Sequence, residues 1–317
     1  MMTNEAETGQ ETASGSRTED RPVLAVTGVG KRYRRTWVLR DCSLSIPTGR
    51  VVALVGPNGA GKTTLLHLAV GLIAPTQGSV RVFGEPVGQS PAALGRIAFM
   101  AQDRPLYDGF SVADMLRFGR HLNQRWDRGL AEKRLAALEI PLDRKVGKLS
   151  GGQQAQVALT VALAKQPDLL VLDEPLSNLD PLARHDLMGS LMTAVAETQL
   201  TVVLSSHIVS DLQGTCDWLI VLNRGRVQVS GDIDDLLERH RVLSGPAELA
   251  DGVAARTTVI EESQTDRQAT LMVRTEATPA VLDPRWRTHG VDLEALVLAY
   301  LRRPEAAALP RPTLASA

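Results

Sequence analysis

The stretch "GPNGAGKTT", Gly56–Thr64, carries the most specific chemical signal in the sequence. It directly follows the apolar run "VVALV" and leads into the helical pattern "TLLHLAVGL". Gly56, Gly59 and Gly61, with Pro57, Asn58 and Ala60 between them, let such a loop curl so that backbone N–H groups point inward at phosphate oxygens. The following helix offers its positive N-terminus to the same anion. Lys62 can reach the outer phosphates, Thr63 offers a hydroxyl to Mg²⁺, and Thr64 is a further phosphate contact. A second chemical cluster is "LLVLDEP", which ends an apolar run on Asp173 and Glu174. Asp173 suits Mg²⁺ held through water, and Glu174 suits orienting or deprotonating an attacking water. Either carboxylate could instead cap the helix that follows. His207 closes a third run, "TVVLSSH", where it could bond a γ-phosphate or a water, or serve only structure. A last oddity is "KLSGGQQAQ": Gly151 and Gly152 begin a segment that otherwise reads as helix, at a cost in stability. Bare backbone at a helix start is an anion site, so Ser150, Gly151 and Gly152 suggest an approaching phosphate.

These residues need elements to hold them. "VVALVG" at 51–56, "IAFMAQ" at 97–102, "LLVLDE" at 169–174 and "TVVLSSH" at 201–207 are short continuous apolar runs separated by helical patterns. That predicts a parallel sheet covered on both faces, with ligands at the strand ends. "VLRDCSLSI" alternates as a half-buried strand, and "WLIVLNRGRVQVSG" reads as a hairpin around "NRG". Residues from about 103 to 150, with "GLAEKRLAALEI", read as an inserted helical subdomain. Beyond about 241, two strands ("TTVIEES", "ATLMVRT") and a helix ("DLEALVLAYLRR") predict a small C-terminal α+β accessory region to 303. Residues 1–21, polar and acidic, and 304–317 read as flexible tails.

Taken in order, "GPNGAGKT", Gln102 after "IAFMA", "LSGGQ", "LLVLDEP", "SNLD" at 177–180 and His207 resemble the ATP-binding subunit of an ABC transporter, over about residues 22–240. The resemblance implies an α/β fold: a phosphate-loop ATPase core with a mainly parallel sheet and an N-terminal antiparallel β subdomain. It implies ATP and Mg²⁺ as ligands. Lys62 and the loop amides would bind phosphates, Thr63 and Asp173 would serve Mg²⁺, and Gln102 would be a further ligand or sensor. Glu174 would be the catalytic carboxylate and His207 the switch residue. Ser150, Gly151, Gly152 and Gln153 would meet the nucleotide held by a second subunit, and Asp180 would lie in the loop that crosses to it. Tyr33 in "GKRYRRTW" matches the place of an adenine-stacking aromatic better than Trp37, or is an ordinary strand aromatic. After the signature many relatives carry arginines at the places of Gln154, Gln156 and Val161, a departure that bears on turnover rate. "AQVALTVALA" with "QRWD" resembles a branch paired with ABC-2-type export permeases, although Trp126 could simply pack in the helical subdomain.

The partners so implied are a separately encoded transmembrane permease and a second ATPase subunit, as a homodimer or a heterodimer with a related chain. The segment "DRPLYDGFSVADMLRF" would face the permease, with Leu106, Tyr107 and Phe110 either an exposed anchor or core. The expected location is cytoplasmic, peripheral on the inner face of the membrane. The chain is 317 residues long, 44% hydrophobic and 22% charged, with no apolar run near the roughly 20 residues a bilayer span needs. A net charge of −1 gives no argument for nucleic acid. The alternative, a non-transport ABC ATPase on ribosomes or DNA, fits less well: there is one motif set and no long coiled-coil insertion. Cys42 and Cys216 are far apart and read as reduced core residues.

Overall fold

The computed structural model describes residues 22–275 and 283–303; the two expected tails lie outside them. Three sheets organise the chain. The first is antiparallel, with β1 (Leu24–Tyr33), β2 (Thr36–Ile46), β4 (Gln77–Val82) and β5 (Glu85–Pro86) in the order β2-β1-β4-β5. The chain leaves it after β2 for β3 (Val51–Val55) and α1 (Lys62–Ala69), and later for α2 (Pro91–Gly95).

The central sheet has the order β10-β9-β3-β8-β7-β6. Its strands are β3, β6 (Ile97–Met100), β7 (Leu169–Leu172), β8 (Thr201–Ser206), β9 (Trp218–Asn223) and β10 (Arg226–Asp232). Five run parallel, and β10 closes the expected hairpin against β9. The continuous apolar runs have a direct physical cause: every residue of β3, β7 and β8 is buried. Side chains alternate between two cores. Val51, Ala53 and Val55 join Leu170, Leu172, Val202 and Leu204 on one face, whereas Val52 and Leu54 join Leu169, Val171 and Val203 on the other.

Between β6 and β7 stand α3 (Val112–Leu122), α4 (Arg128–Ala137) and α5 (Gly151–Ala164). They close their own core of Val112, Leu116, Ala131, Leu135 and Val157. Trp126 packs there: a Cβ on Gly119 would lie 2.5 Å from its ring. Helix α6 (Pro181–Glu197) then covers one face of the central sheet through Leu187, Met188 and Leu191.

After α7 (Ile233–Glu238) comes a third sheet, β12-β13-β11-β14. It is built from β11 (His240–Pro246), β12 (Thr258–Gln264), β13 (Gln268–Arg274) and β14 (Arg287–His289), with α8 (Ala250–Ala254) and α9 (Leu293–Arg302). Leu243, Leu271, Val273 and Trp286 form a local core. Ile260, Met272 and the α9 residues Leu296, Val297 and Tyr300 instead share the main core with β9 and α6. The sequence suggested a separate accessory region; α9 ties it to the central sheet, and Asn223 Nδ2 donates to the Leu301 carbonyl at 2.8 Å. The fold is thus α/β, with an antiparallel N-terminal sheet beside a mainly parallel one.

Candidate functional site

The parallel strands deliver their ends to one edge. Gly56 follows β3, Asp173 and Glu174 follow β7, and His207 follows β8. Gln102 lies two residues past Met100, whose partner in the ladder is Leu172; Glu174 lies two residues past Leu172. Gln102 itself is exposed in the turn after β6.

The loop from Gly56 to Gly61 admits no side chain at either end. A Cβ on Gly56 would sit 2.1 Å from the Leu222 carbonyl oxygen. Gly61 has φ +106° and would press on Leu39. Gly59, between them, differs from the close backbone approach at Gly56. A Cβ there would meet nothing within 4 Å, but φ is +79°, so the left-handed turn of the loop, and no crowding, selects glycine. Pro57, Asn58 and Gly59 form the outer curve of the loop, with Asn58 and Gly59 exposed and Ala60 buried behind them. The turn is pinned by Ala60 N–H donating to the Pro57 carbonyl at 3.1 Å, and by Gly225 N–H donating to the Ala60 carbonyl at 3.1 Å. No side chain caps α1, so its first N–H groups are left to an external acceptor. Thr63 is exposed at this helix start and Thr64 is half-buried.

Lys62 is only 6% exposed, yet charged. A buried ammonium needs partners. Its Nζ donates to the Gly56 carbonyl at 2.8 Å and lies 3.0 Å from Glu174 Oε1. Glu174 Oε2 in turn lies 2.7 Å from His207 Nδ1. One carboxylate therefore spans a lysine and a histidine. Glu174 has φ +47°, the left-handed region, a backbone strain that recurs at functional turns. Donors on a loop that curls around an uncapped helix start, with two buried carboxylates beside them, fit a phosphate ester and a hard divalent cation.

Sequence reasoning missed Ser205. Its hydroxyl donates to Asp173 Oδ1 at 2.7 Å and accepts from Glu174 N–H at 2.8 Å, so one buried side chain positions both acidic residues. The available signal was the pair of serines ending an otherwise apolar strand just before His207.

The start of α5 is capped reciprocally. Ser150 Oγ accepts from Gln153 N–H at 3.2 Å, and Gln153 Oε1 accepts from Ser150 N–H at 3.1 Å. The two glycines behave differently. A Cβ on Gly152 would meet Ala183 Cβ at 2.9 Å, so packing against α6 explains that glycine. A Cβ on Gly151 would meet nothing within 4 Å. Among the described residues, no hydrogen bond or ion pair joins residues 150–153 to the phosphate loop. Asp180 caps α6, its carboxylate accepting from Ala183 N–H at 2.9 Å.

Tyr33 is 46% exposed at the tip of the β1–β2 hairpin, with Lys31 Nζ 5.1 Å from its ring. Trp37 is engaged in packing, since a Cβ on Gly30 would come within 2.8 Å of its ring. Tyr107 and Phe110 are also exposed, and with Phe118 they form an aromatic cluster, with ring centroids 5.0 and 5.3 Å from Tyr107. Leu106 packs against the cores instead. Cys42 is buried and Cys216 partly so; neither is in a disulfide. No helix among the described residues is long and apolar enough to cross a membrane.

The ABC transporter family matches residues 39–177, which include the phosphate loop, Ser150–Gln153 and both carboxylates. The chain is 36% identical over 224 residues to "Nod factor export ATP-binding protein I" of Cupriavidus pinatubonensis, covering 68% of each chain. It is also 36% identical to "Sulfate/thiosulfate import ATP-binding protein CysA" of Halalkalibacterium halodurans, covering 68% of this chain and 63% of that one. Among solved structures, an ATP-binding subunit of an ABC transporter matches with TM-score 0.61 and 29% identity, over 68% of this chain and 92% of the other. The cbiO1 subunit of Clostridium perfringens, part of the cbiONQ transporter complex, matches with TM-score 0.61 and 26% identity, over 75% and 96%. Strand ends, loop chemistry and relatives converge: the chain belongs to the ABC transporter family of ATP-binding subunits, the ATPases that are coupled to transport.

Proposed function

We propose that this chain hydrolyses ATP as one half of a head-to-tail dimer that drives a separate transmembrane permease, in the direction of export. The observation that carries the dimer is Gly151. Nothing in its own chain needs a glycine there, yet the residue leaves bare backbone at an exposed helix start. A surface that recognises phosphate but sits apart from its own phosphate loop is complementary to the loop of a second copy. Ser150, Gly151, Gly152 and Gln153 then complete a site that Gly56–Thr64 begins in the other chain, with Asp180 nearby.

Within one chain, Lys62 and the loop amides, those of Gly59 and Gly61 included, hold the β- and γ-phosphates, and Tyr33 stacks on the adenine. Mg²⁺, held by Thr63, Asp173 and Gln102, would neutralise charge that develops on the phosphate oxygens. Lys62 Nζ now shares its charge with Glu174 Oε1. When Lys62 turns to phosphate, Oε1 is released to accept a proton from water while His207 keeps Oε2 in place. Water oxygen bonds to the γ-phosphorus, the bridging bond to the β-phosphate breaks, and ADP leaves with that electron pair. ATP favours the closed dimer and hydrolysis releases it.

Support for a permease partner is the exposed Tyr107 and Phe110, on the segment after Gln102. Support for export is the name of a relative, Nod factor export ATP-binding protein I. Association with the membrane, on its inner face, would follow from that partner. The test is Glu174→Gln. ATP binding should persist, turnover should fall by about 10²-fold or more, the scale of a lost general base, and an ATP-bound dimer should accumulate in light scattering. Near-normal turnover would remove Glu174 from its role.

A further inference from the structure

Arg104 lies in the segment "DRPLYDGFSVADMLRF", but no role of its own is legible there from sequence. It lies in the turn after β6, two residues beyond Gln102, and has φ +45° with Pro105 next. A residue before proline is ordinarily extended, so a left-handed arginine there is costly and persists only where its surroundings hold it. The guanidinium supplies the hold. Nη2 donates to the Ser177 carbonyl at 2.5 Å, and Nη1 donates to the Gly151 carbonyl at 3.3 Å. Those carbonyls belong to separate elements, the turn after β7 and the first turn of α5. Ser177 N–H in turn donates to the Glu174 carbonyl at 3.0 Å. A continuous path of hydrogen bonds thus runs from the backbone of Glu174, through one side chain, to the exposed edge of α5. Its other end is the segment bearing Tyr107, three residues on.

The chemistry is specific to arginine. A planar fork can reach two diverging carbonyls at once, whereas a lysine ammonium is a single point. Nor does the contact serve the helix. A fixed cation beside a helix N-terminus opposes the macrodipole. The third guanidinium nitrogen, Nε, is buried with no partner. α5 and α6 also abut through Gly152 and Ala183, so this side chain is not their sole contact.

We infer that Arg104 is a positioning residue: it holds the start of α5 and the Glu174–Asp180 turn at a fixed separation and ties both to the segment 103–110. The inference rests on the proposed dimer, in which Gly151 meets the partner's nucleotide. Moving either carbonyl then moves the surface that closes on the other subunit.

The test uses the full chain as Glu174→Gln, alone and combined with Arg104→Ala or Arg104→Lys, plus the two Arg104 single variants. Binding of a fluorescent ATP analogue to dilute monomer should stay within about twofold. The ATP-dependent dimer, measured by sedimentation, should weaken by about tenfold or more in both double variants, a size typical of coupling between sites. The single variants should lose kcat in similar proportion while KM for ATP changes little. Parent-like dimerisation and turnover in Arg104→Lys would overturn the inference. So would loss of monomer binding together with the dimer in Arg104→Ala, since that marks a general structural defect. If Glu174→Gln alone binds ATP but stays monomeric, the head-to-tail reading fails and takes this inference with it. Full-strength dimers in the double variants sink the inference only.

Discussion

Gly151→Asp separates the two possible reasons for a glycine at the head of α5. Within its own chain the substitution should help. The backbone is not left-handed at this position, and a Cβ would stand in open space. Asp has a better helix propensity than Gly by a few tenths of a kcal/mol. A carboxylate in the first turn gains roughly 0.3–1 kcal/mol from the helix dipole. The monomer should therefore gain about 1 kcal/mol and melt about 2–4 °C higher. In the proposed dimer the same carboxylate would face a second subunit's γ-phosphate. Like charges set together at an interface cost several kcal/mol, and each 1.4 kcal/mol is tenfold. The ATP-dependent dimer should weaken by at least about 100-fold on that scale. The assay is threefold: a thermal melt without nucleotide, titration of a fluorescent ATP analogue into dilute monomer, and light scattering with ATP in the Glu174→Gln background. The expected pattern is opposite in sign, with a more stable fold, unchanged monomer binding and no dimer. A destabilised monomer, or a dimer that forms at parent concentrations, would refute the reasoning. So would loss of nucleotide binding by a folded monomer, because Gly151 would then serve its own chain's site.

Two further outcomes follow from buried groups. Ser205→Ala removes the hydroxyl that joins Asp173 to the Glu174 backbone, leaving an N–H and a carboxylate oxygen unpaired inside the protein. Stability should fall by roughly 1–3 kcal/mol, and kcat should fall more than KM rises; unchanged kcat in steady-state assays would deny Ser205 its positioning role. His240 is fully buried between the Leu236 carbonyl, 2.6 Å from Nδ1, and the Tyr300 hydroxyl, 2.8 Å from Nε2. Burial pushes its pKa below the usual 6.5, and the nearby Arg274 and Arg241 add to this. The unfolded chain therefore binds the extra proton first, so the stability from neutral His240 is complete above about pH 6.5 and is lost as pH falls toward the depressed folded pKa. Melting curves from pH 7.5 to 5 should slope by up to about 1.4 kcal/mol per pH unit from this one group, and His240→Gln should flatten them; an unchanged slope would exclude His240.

Much of the site was legible because its chemistry is written locally. A phosphate loop needs glycine at fixed places, and Gly56, Gly59 and Gly61 are explained by the Leu222 carbonyl and by left-handed turns. The strands were legible because burial on both faces leaves no polar alternation: every residue of β7 and β8 is buried. Side chains that only long-range contacts single out were not legible. Ser205 matters through Asp173 and Glu174, some 30 positions away, and Arg104 through Gly151 and Ser177, 47 and 73 positions away. The link of the C-terminal region to the central sheet was equally hidden. The apolar pattern of "DLEALVLAYLRR" shows that α9 is amphipathic, not which core it joins.

The arrangement of charges argues that this site is built for exchange rather than for stability. Lys62 and Glu174 are 6% and 8% exposed, and the two groups lose hydration that a single ion pair only partly restores. The carboxylate is offset further by His207, and the ammonium by the Gly56 carbonyl. Replacing both with apolar residues would make a cheaper core. What the polar version provides is a lysine whose carboxylate partner a phosphate could displace. Phosphate carries more charge than one carboxylate and offers several acceptors, so Lys62 can transfer to it while His207 retains Glu174. In the proposed mechanism, the exchange that would bind the nucleotide would also free the oxygen that hydrolysis needs. A site with Lys62 already turned away from Glu174 would bind phosphate as well but would lack that link between occupancy and activation.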